Sequence, residues 1–201
     1  MESIEYTVKA AQIFTLFFIM LGPLRVIGPF ALATGNMGQS EKSTLAIKIG
    51  IIATVTLLIG GFIGSKLLVS WRIQPPVLLI AAGVIFFLVA LAPLIHQEQT
   101  HPQKFATDTS PTDLALQIVV SPYGMAAVIV LISLSHDMKR LFTIIGCLLM
   151  VMLLDVLTMA FIKPNNEKNK SVLMKIVGAA LGTLQLALAL QIIVDGLRGI
   201  I

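Results

Sequence analysis

The apolar run from Val8 to Ala33 is interrupted at membrane depth by Leu21-Gly22-Pro23-Leu24-Arg25-Val26-Ile27-Gly28-Pro29-Phe30. The run is long enough to cross a bilayer, which takes about 20 apolar residues as helix. Its second half nevertheless holds two prolines, two glycines and a full positive charge. Pro23 has no N–H and its ring crowds the carbonyl one turn back, so the helix should kink or open there. Lipid offers the freed carbonyls no partner, so a broken backbone survives only against protein or a watery cavity. Arg25 at that depth is costly unless it is paired or snorkels. Two readings follow. One is a site built on a broken helix; the other is a structural proline kink with Arg25 snorkelling to an interface.

The remaining composition says which solvent the chain folds in. Of its 201 residues, 57% are hydrophobic and 12% charged, where a soluble domain carries about 25% charged residues. This is an integral membrane protein, expected to be all-α and multi-pass. Cys147 is the lone cysteine, which excludes an internal disulfide framework and a cysteine metal site. A net charge of +4 fits a membrane surface and gives no reason to expect nucleic acid. The N-terminus is acidic and no small-residue cleavage site follows a short apolar core. The first span is therefore read as its own insertion signal.

Length and apolarity give six spans, at roughly 8–33, 45–69, 76–95, 114–135, 141–162 and 171–197. Ser40 is the expected N-cap of the second span. Gly60, Gly61 and Gly64 should let another helix approach it closely. Trp71-Arg72 marks an interface. Pro75-Pro76 open the third span in the first turn, where proline is tolerated. The polar segment 96–113 divides residues 1–95 from 114–201. Its His96, Glu98, His101, Lys104, Asp108 and Asp113 match no metal-ligand spacing and read as a solvated loop. Basic residues divide almost evenly between the two sides, and the Lys163–Lys175 cluster tips the N-terminus outside.

The two halves resemble each other. Val120-Ser121-Pro122-Tyr123-Gly124 breaks the fourth span much as Pro23 breaks the first, at an offset of about 99 residues. Gly50 aligns with Gly146, and Val77–Gly83 with Val172–Gly178. A repeat of three spans is odd, so the second copy enters the membrane the opposite way round. Inverted repeats with a broken helix in each are a pointer to a secondary transporter, with the site where the breaks meet. Two half-helix ends bring free amides and carbonyls into the membrane interior, where they can hold a zwitterion. Gly22, Pro23, Arg25, Gly28, Ser121, Pro122 and Gly124 are thus the candidate solute-binding residues.

Asp155 is an acid well inside the fifth span, a functional candidate by its position. The first and fifth spans cross in the same direction, and Asp155 and Arg25 lie at depths that agree within a helical turn. They are either an ion pair or, if separate, a coupling site. Gln185 and Gln191 line a polar path or join helices by hydrogen bonds. Ser121, Thr54, Thr56 and Thr158 are expected to bond back to their own helix. No nucleophile elbow, zinc pattern or phosphate loop occurs, so no enzyme, cofactor or metal is expected.

Six spans, a Pro-broken span 1, a Pro/Gly-broken span 4 and the closing Gln191-Ile192-Ile193-Val194-Asp195-Gly196-Leu197 resemble the MarC family over essentially the whole chain. The family's first break is similar to Asn-Pro-x-Gly-x-x-Pro-x-Phe; here Gly22 and Arg25 replace the Asn and the inner Gly, and the second proline is displaced to Pro29. Its second break is similar to Gly-Pro-Gly-Ala-Ile; here it stands as Ser121-Pro122-Tyr123-Gly124-Met125. The resemblance implies a bacterial inner-membrane protein. It also implies a transporter of small neutral amino acids driven by cations, H+ or Na+. The partners are then membrane lipids, the solute and the ion, with homo-oligomerisation open. The alternative from a different class is a membrane scaffold or assembly partner whose breaks serve packing. A polar cavity between the halves, walled by Pro23 and Pro122, separates the two.

Overall fold

The computed structural model describes residues 10–35, 37–95, 110–135, 137–161 and 171–200, which are helical with no strand. The first apolar run is two helices, α1 (Ala10–Leu21) and α2 (Pro23–Ala33), hinged on Gly22. Gly22 is extended at φ −71° and ψ 179°, and Pro23 takes the first helical position, where its missing N–H costs nothing. Such a φ suits any residue; crowding is what demands glycine, since a Cβ on Gly22 would run into the carbonyl oxygen of Phe18. Pro29 stays inside α2. The hinge is shallow enough that Ile13–Ala33 still makes one span of 21 residues.

The second break is sharper. A short α5 (Pro111–Leu114) continues as a π turn over Ala115–Val119, and α6 (Pro122–Ser133) departs at 75°. Ser110 caps α5 by accepting from the Asp113 amide at 3.2 Å, and Val120 N–H closes the π turn on the Ala115 carbonyl at 3.0 Å. Then come α3 (Gln39–Ser70), α4 (Pro75–Ile95), α7 (Met138–Phe161) and α8 (Ser171–Arg198). α4 does open on Pro75-Pro76, as expected of the helix there. α3 starts a turn and a half earlier than expected, and its N-cap is Gly38 in place of Ser40. The Glu41 carboxylate accepts from the Gly38 amide at 3.1 Å, the half of a capping box that reaches backward. Segments 96–109 and 162–170, which hold the histidine-containing loop and most of the lysine cluster, lie outside the described residues.

By length and apolarity three stretches of the described residues qualify as spans: Ile13–Ala33, Gln39–Ser70 and Met138–Phe161. The bent pair around Ser121 makes a fourth if counted as one crossing. The described chain is thus an all-helical membrane protein with three to four such spans, against six read from the sequence. In α4, Pro75–Leu88 is apolar but shorter than a crossing.

Glycines set the helix packing and its directions. Gly60, Gly61 and Gly64 of α3 lie against Met125, Val128 and Ile129 of α6, so these two helices run the same way. A Cβ on Gly61 would come within 2.6 Å of Val128, the close approach expected of small residues. α3 meets α7 head to tail: Gly50 packs on Val156, and Gln39 Nε2 donates to the Ala160 carbonyl at 2.6 Å. α4 and α8 are also antiparallel, with Gly83 against Ile193 and Gly196 against Ile80. α1 and α2 pack along α7. The core joins Phe17, Leu21, Val26 and Phe30 to Ile49, Ala53 and Leu57 of α3 and Ile144, Leu148 and Val151 of α7. The opposite stripe of α3, Ile47, Ile51, Val55, Ile59 and Ile63, is exposed and equally apolar, as a lipid-facing surface must be.

Candidate functional site

Helix breaks leave backbone groups without helical partners, and at both breaks other groups serve some of them. At the first break, Gly22 N–H still bonds the Phe18 carbonyl at 3.0 Å. The next carbonyl, of Ile19, would be served by residue 23, and Pro23 has no N–H. Gln185 Nε2, from α8, stands 3.5 Å from it. The Met20 carbonyl receives Arg25 Nη1, also at 3.5 Å. Both bonds are long, but a guanidinium at the C-terminal end of α1 also opposes that helix's dipole. Arg25 thus reaches back across the break, and its half-buried position is part of the hinge.

At the second break Ser121 is 1% exposed. Its hydroxyl accepts from the Gly124 amide at 3.1 Å, so it is an N-cap. The expectation that Ser121 bonds back to its own helix is thereby corrected: Ser121 is extended at the start of α6, and its hydroxyl serves the amide ahead of it. Thr54 and Thr158 do bond back, at 2.7 Å each, to the Gly50 and Leu154 carbonyls.

The two breaks touch. A Cβ on Gly124 would collide with the Leu21 side chain and come within 2.7 Å of Ser121 Oγ. Leu21 is the last residue of α1 and Gly124 lies in the first turn of α6, so absence of a side chain at 124 lets one hinge seat on the other. On α7, Asp155 is 1% exposed and neither carboxylate oxygen has a hydrogen-bond partner among the described residues. The Arg25 guanidinium acts on it electrostatically without donating to it. A buried acid without hydrogen bonds is expensive, and the nearby cation offsets part of that cost.

The comparisons now bear on this arrangement. The profile described as "MarC family integral membrane protein" matches residues 7–201. The chain belongs to the MarC family. It is similar to UPF0056 membrane protein BU449 of Buchnera aphidicola subsp. Acyrthosiphon pisum, 25% identical over 190 residues, covering 91% of this chain and 93% of the relative. It is also similar to UPF0056 membrane protein MJ1677 of Methanocaldococcus jannaschii, 23% identical over 193 residues, covering 92% and 94%. No solved structure matches the chain.

Two of the three departures of this MarC chain from the first-break pattern, Gly22 and Arg25, sit at the hinge; the third, Pro29, lies inside α2. Gly22 stands where the Phe18 carbonyl leaves no room for a Cβ, so an Asn there would need a shifted backbone. Arg25 brings to the break the charge that reaches Met20 and acts on Asp155. The other candidates divide. Pro122 is exposed, and a Cβ on Gly28 would meet nothing within 4 Å. Gln191 is not at the breaks: it donates to Asp195 Oδ1 at 2.8 Å on the exposed end of α8, where Asp195 also pairs with Arg198 at 3.8 Å.

A cavity of about 810 Å³ lies between α1, α4, α6 and α8, hence between the halves of this MarC chain. Its wall includes Ile19 and Met20 at the first break, but neither Pro23 nor Pro122, and among the described residues its polar side chains are Thr15 and Asp195. The expectation of a polar cavity walled by the two prolines is therefore not met. The wall is made by the flanks of α1, α4, α6 and α8. One residue escaped the sequence reading: Lys42, read as part of a polar turn, is 2% exposed. It continues the buried stripe Ala46, Ile49, Gly50, Ala53 and Leu57 of α3, and that helical spacing is the signal that could have found it.

Proposed function

We propose that this chain is a secondary transporter, exporter or importer, of small neutral amino acids or similar solutes across a bacterial inner membrane. The observation that carries the reading is the contact of the two broken helices at Leu21 and Gly124, together with a buried, unbonded acid, Asp155, on which Arg25 of the first break acts. Transporter sites are commonly assembled where discontinuous helices from two repeats meet. The packing supports two inverted three-helix repeats within six spans. Exchanging the halves turns the contact of α2 with α7 into that of α6 with α3, and the contact of α1 with α6 into that of the π turn with α2; all four contacts are present. The antiparallel pairs α3–α7 and α4–α8 accord with an inverted second copy. The α2 and α6 N-termini offer positive ends to a carboxylate, and Asp155 offers a negative group to an ammonium. The amino-acid class itself comes from the family resemblance.

A scaffold or assembly role is the second reading, and the apolar wall of the cavity favours it. Counterflow of a panel of labelled amino acids in liposomes bearing the purified protein decides between them. Exchange above that of protein-free liposomes, abolished by Gly124→Leu, is expected. No exchange of any solute by well-folded protein leaves the scaffold.

A further inference from the structure

The first break carries a cation of its own. Half-helix C-terminal carbonyls and unwound backbone are what coordinate a driving Na+ in broken-helix transporters, commonly with help from an acid. Here the Met20 carbonyl, in the last turn of α1, receives Arg25 Nη1 at 3.5 Å. Asp155, 1% exposed and hydrogen-bonded to nothing, lies in the field of the same guanidinium. Arg25's own carbonyl is relieved of its helical donor, because the residue four further on is Pro29. A carbonyl and a buried carboxylate, ligands a hard monovalent ion would want, thus share one tethered charge.

We propose that the Arg25 guanidinium occupies the place of a coupling Na+ at the first break, so that this chain works without Na+ and Arg25→Asn converts the break into a Na+ site. The charge balance fits. With the Asp155 carboxyl ionised, Asp155 and Arg25 together are neutral, so a zwitterion can enter without a co-transported cation. Arg25→Asn removes the cation and supplies a neutral oxygen, leaving Asp155 as a buried uncompensated anion. An external cation can then neutralise it, in competition with a proton, so the Na+ effect belongs to alkaline solution, where protons are scarce. The word "coupling" rests on the transporter reading; occupancy of the position does not.

The test is the melting temperature of the purified full-length protein in NaCl, KCl and choline chloride at equal ionic strength, in alkaline buffer so that a proton does not replace the cation at Asp155. Wild type should melt alike in all three. Arg25→Asn should melt lower in choline chloride and regain about 5 °C or more in NaCl, since ligand binding to the folded state alone stabilises it by mass action. Arg25→Lys, which keeps a tethered charge, should show no Na+ effect, and Arg25→Asn/Asp155→Asn should lose it. A Na+-specific shift in wild type overturns the proposal. So does an Arg25→Asn protein indifferent to Na+, or one that cannot be recovered in any of the three salts, because supplied Na+ should replace the lost charge. A Na+-stabilised Arg25→Asn variant alongside a wild type that exchanges no solute would instead sink the transporter reading and leave this one standing.

Discussion

Gln185 Nε2 stands 3.5 Å from the carbonyl of Ile19, the acceptor that Pro23 leaves without a helical donor. A proline in one helix is thus matched by an amide from another, 166 residues away in the chain. The match makes a prediction. Gln185→Leu should destabilise the protein by about 1 kcal/mol, the usual net worth of such a bond between membrane helices. Pro23→Ala returns an N–H to Ile19, so the same Gln185→Leu change made on that background should cost less. Thermal unfolding of the four proteins measures the coupling, and strict additivity would show that Gln185 does not serve this carbonyl.

The seat of one break on the other depends on a missing side chain. Gly124→Leu must displace Leu21 or tilt α6, at a cost of about 1–3 kcal/mol for overpacking. It should also abolish solute exchange. Leu21→Ala made together with Gly124→Ala returns room at the contact and should recover most of the stability. If Gly124→Leu melts and exchanges as wild type does, the two breaks are not in register.

Ser121 is a cap, and caps have a known ranking. Ser121→Ala should cost about 1 kcal/mol, while Ser121→Gly costs only a few tenths. A back-bonded serine predicts the reverse order, because glycine then adds a flexibility penalty inside a helix. Unfolding midpoints of the two variants separate the roles.

The sequence carried the breaks well and their surroundings poorly. Pro23, Pro122 and Pro75 announce helix starts by backbone chemistry alone, so the hinge at Gly22 and the cap region at Ser121 were legible. The glycines at 60, 61 and 64 likewise announce a close helix, though not which one. Which helix faces meet is a tertiary fact. Depth could place Asp155 level with Arg25, but could not tell that the guanidinium turns to Met20 while the carboxylate stays unbonded. Gln185 and Gln191 look alike in the sequence; one reaches a break and the other bonds Asp195 within its own helix. Lys42 was misplaced because a charge near a loop reads as solvated, whereas it is 2% exposed and falls on the buried stripe of α3.

The last prediction separates charge from fold at Arg25 and Asp155. Their attraction operates in a buried setting where removing one charge leaves the other uncompensated. Arg25→Leu and Asp155→Leu, each alone and in the absence of Na+, should therefore destabilise by about 3 kcal/mol. Changing both to leucine removes both desolvation costs, and well-packed apolar replacements of a buried pair are often neutral or stabilising. The double variant should accordingly fold at least as well as wild type. It should exchange no zwitterion, because neither charged end of the solute finds its partner. Unfolding and counterflow measured on the same preparations check both halves. A double variant no more stable than either single one would show that the two charges do not compensate each other. A stable double variant that still exchanges amino acids would remove the pair from the site and leave the half-helix ends to bind the solute alone.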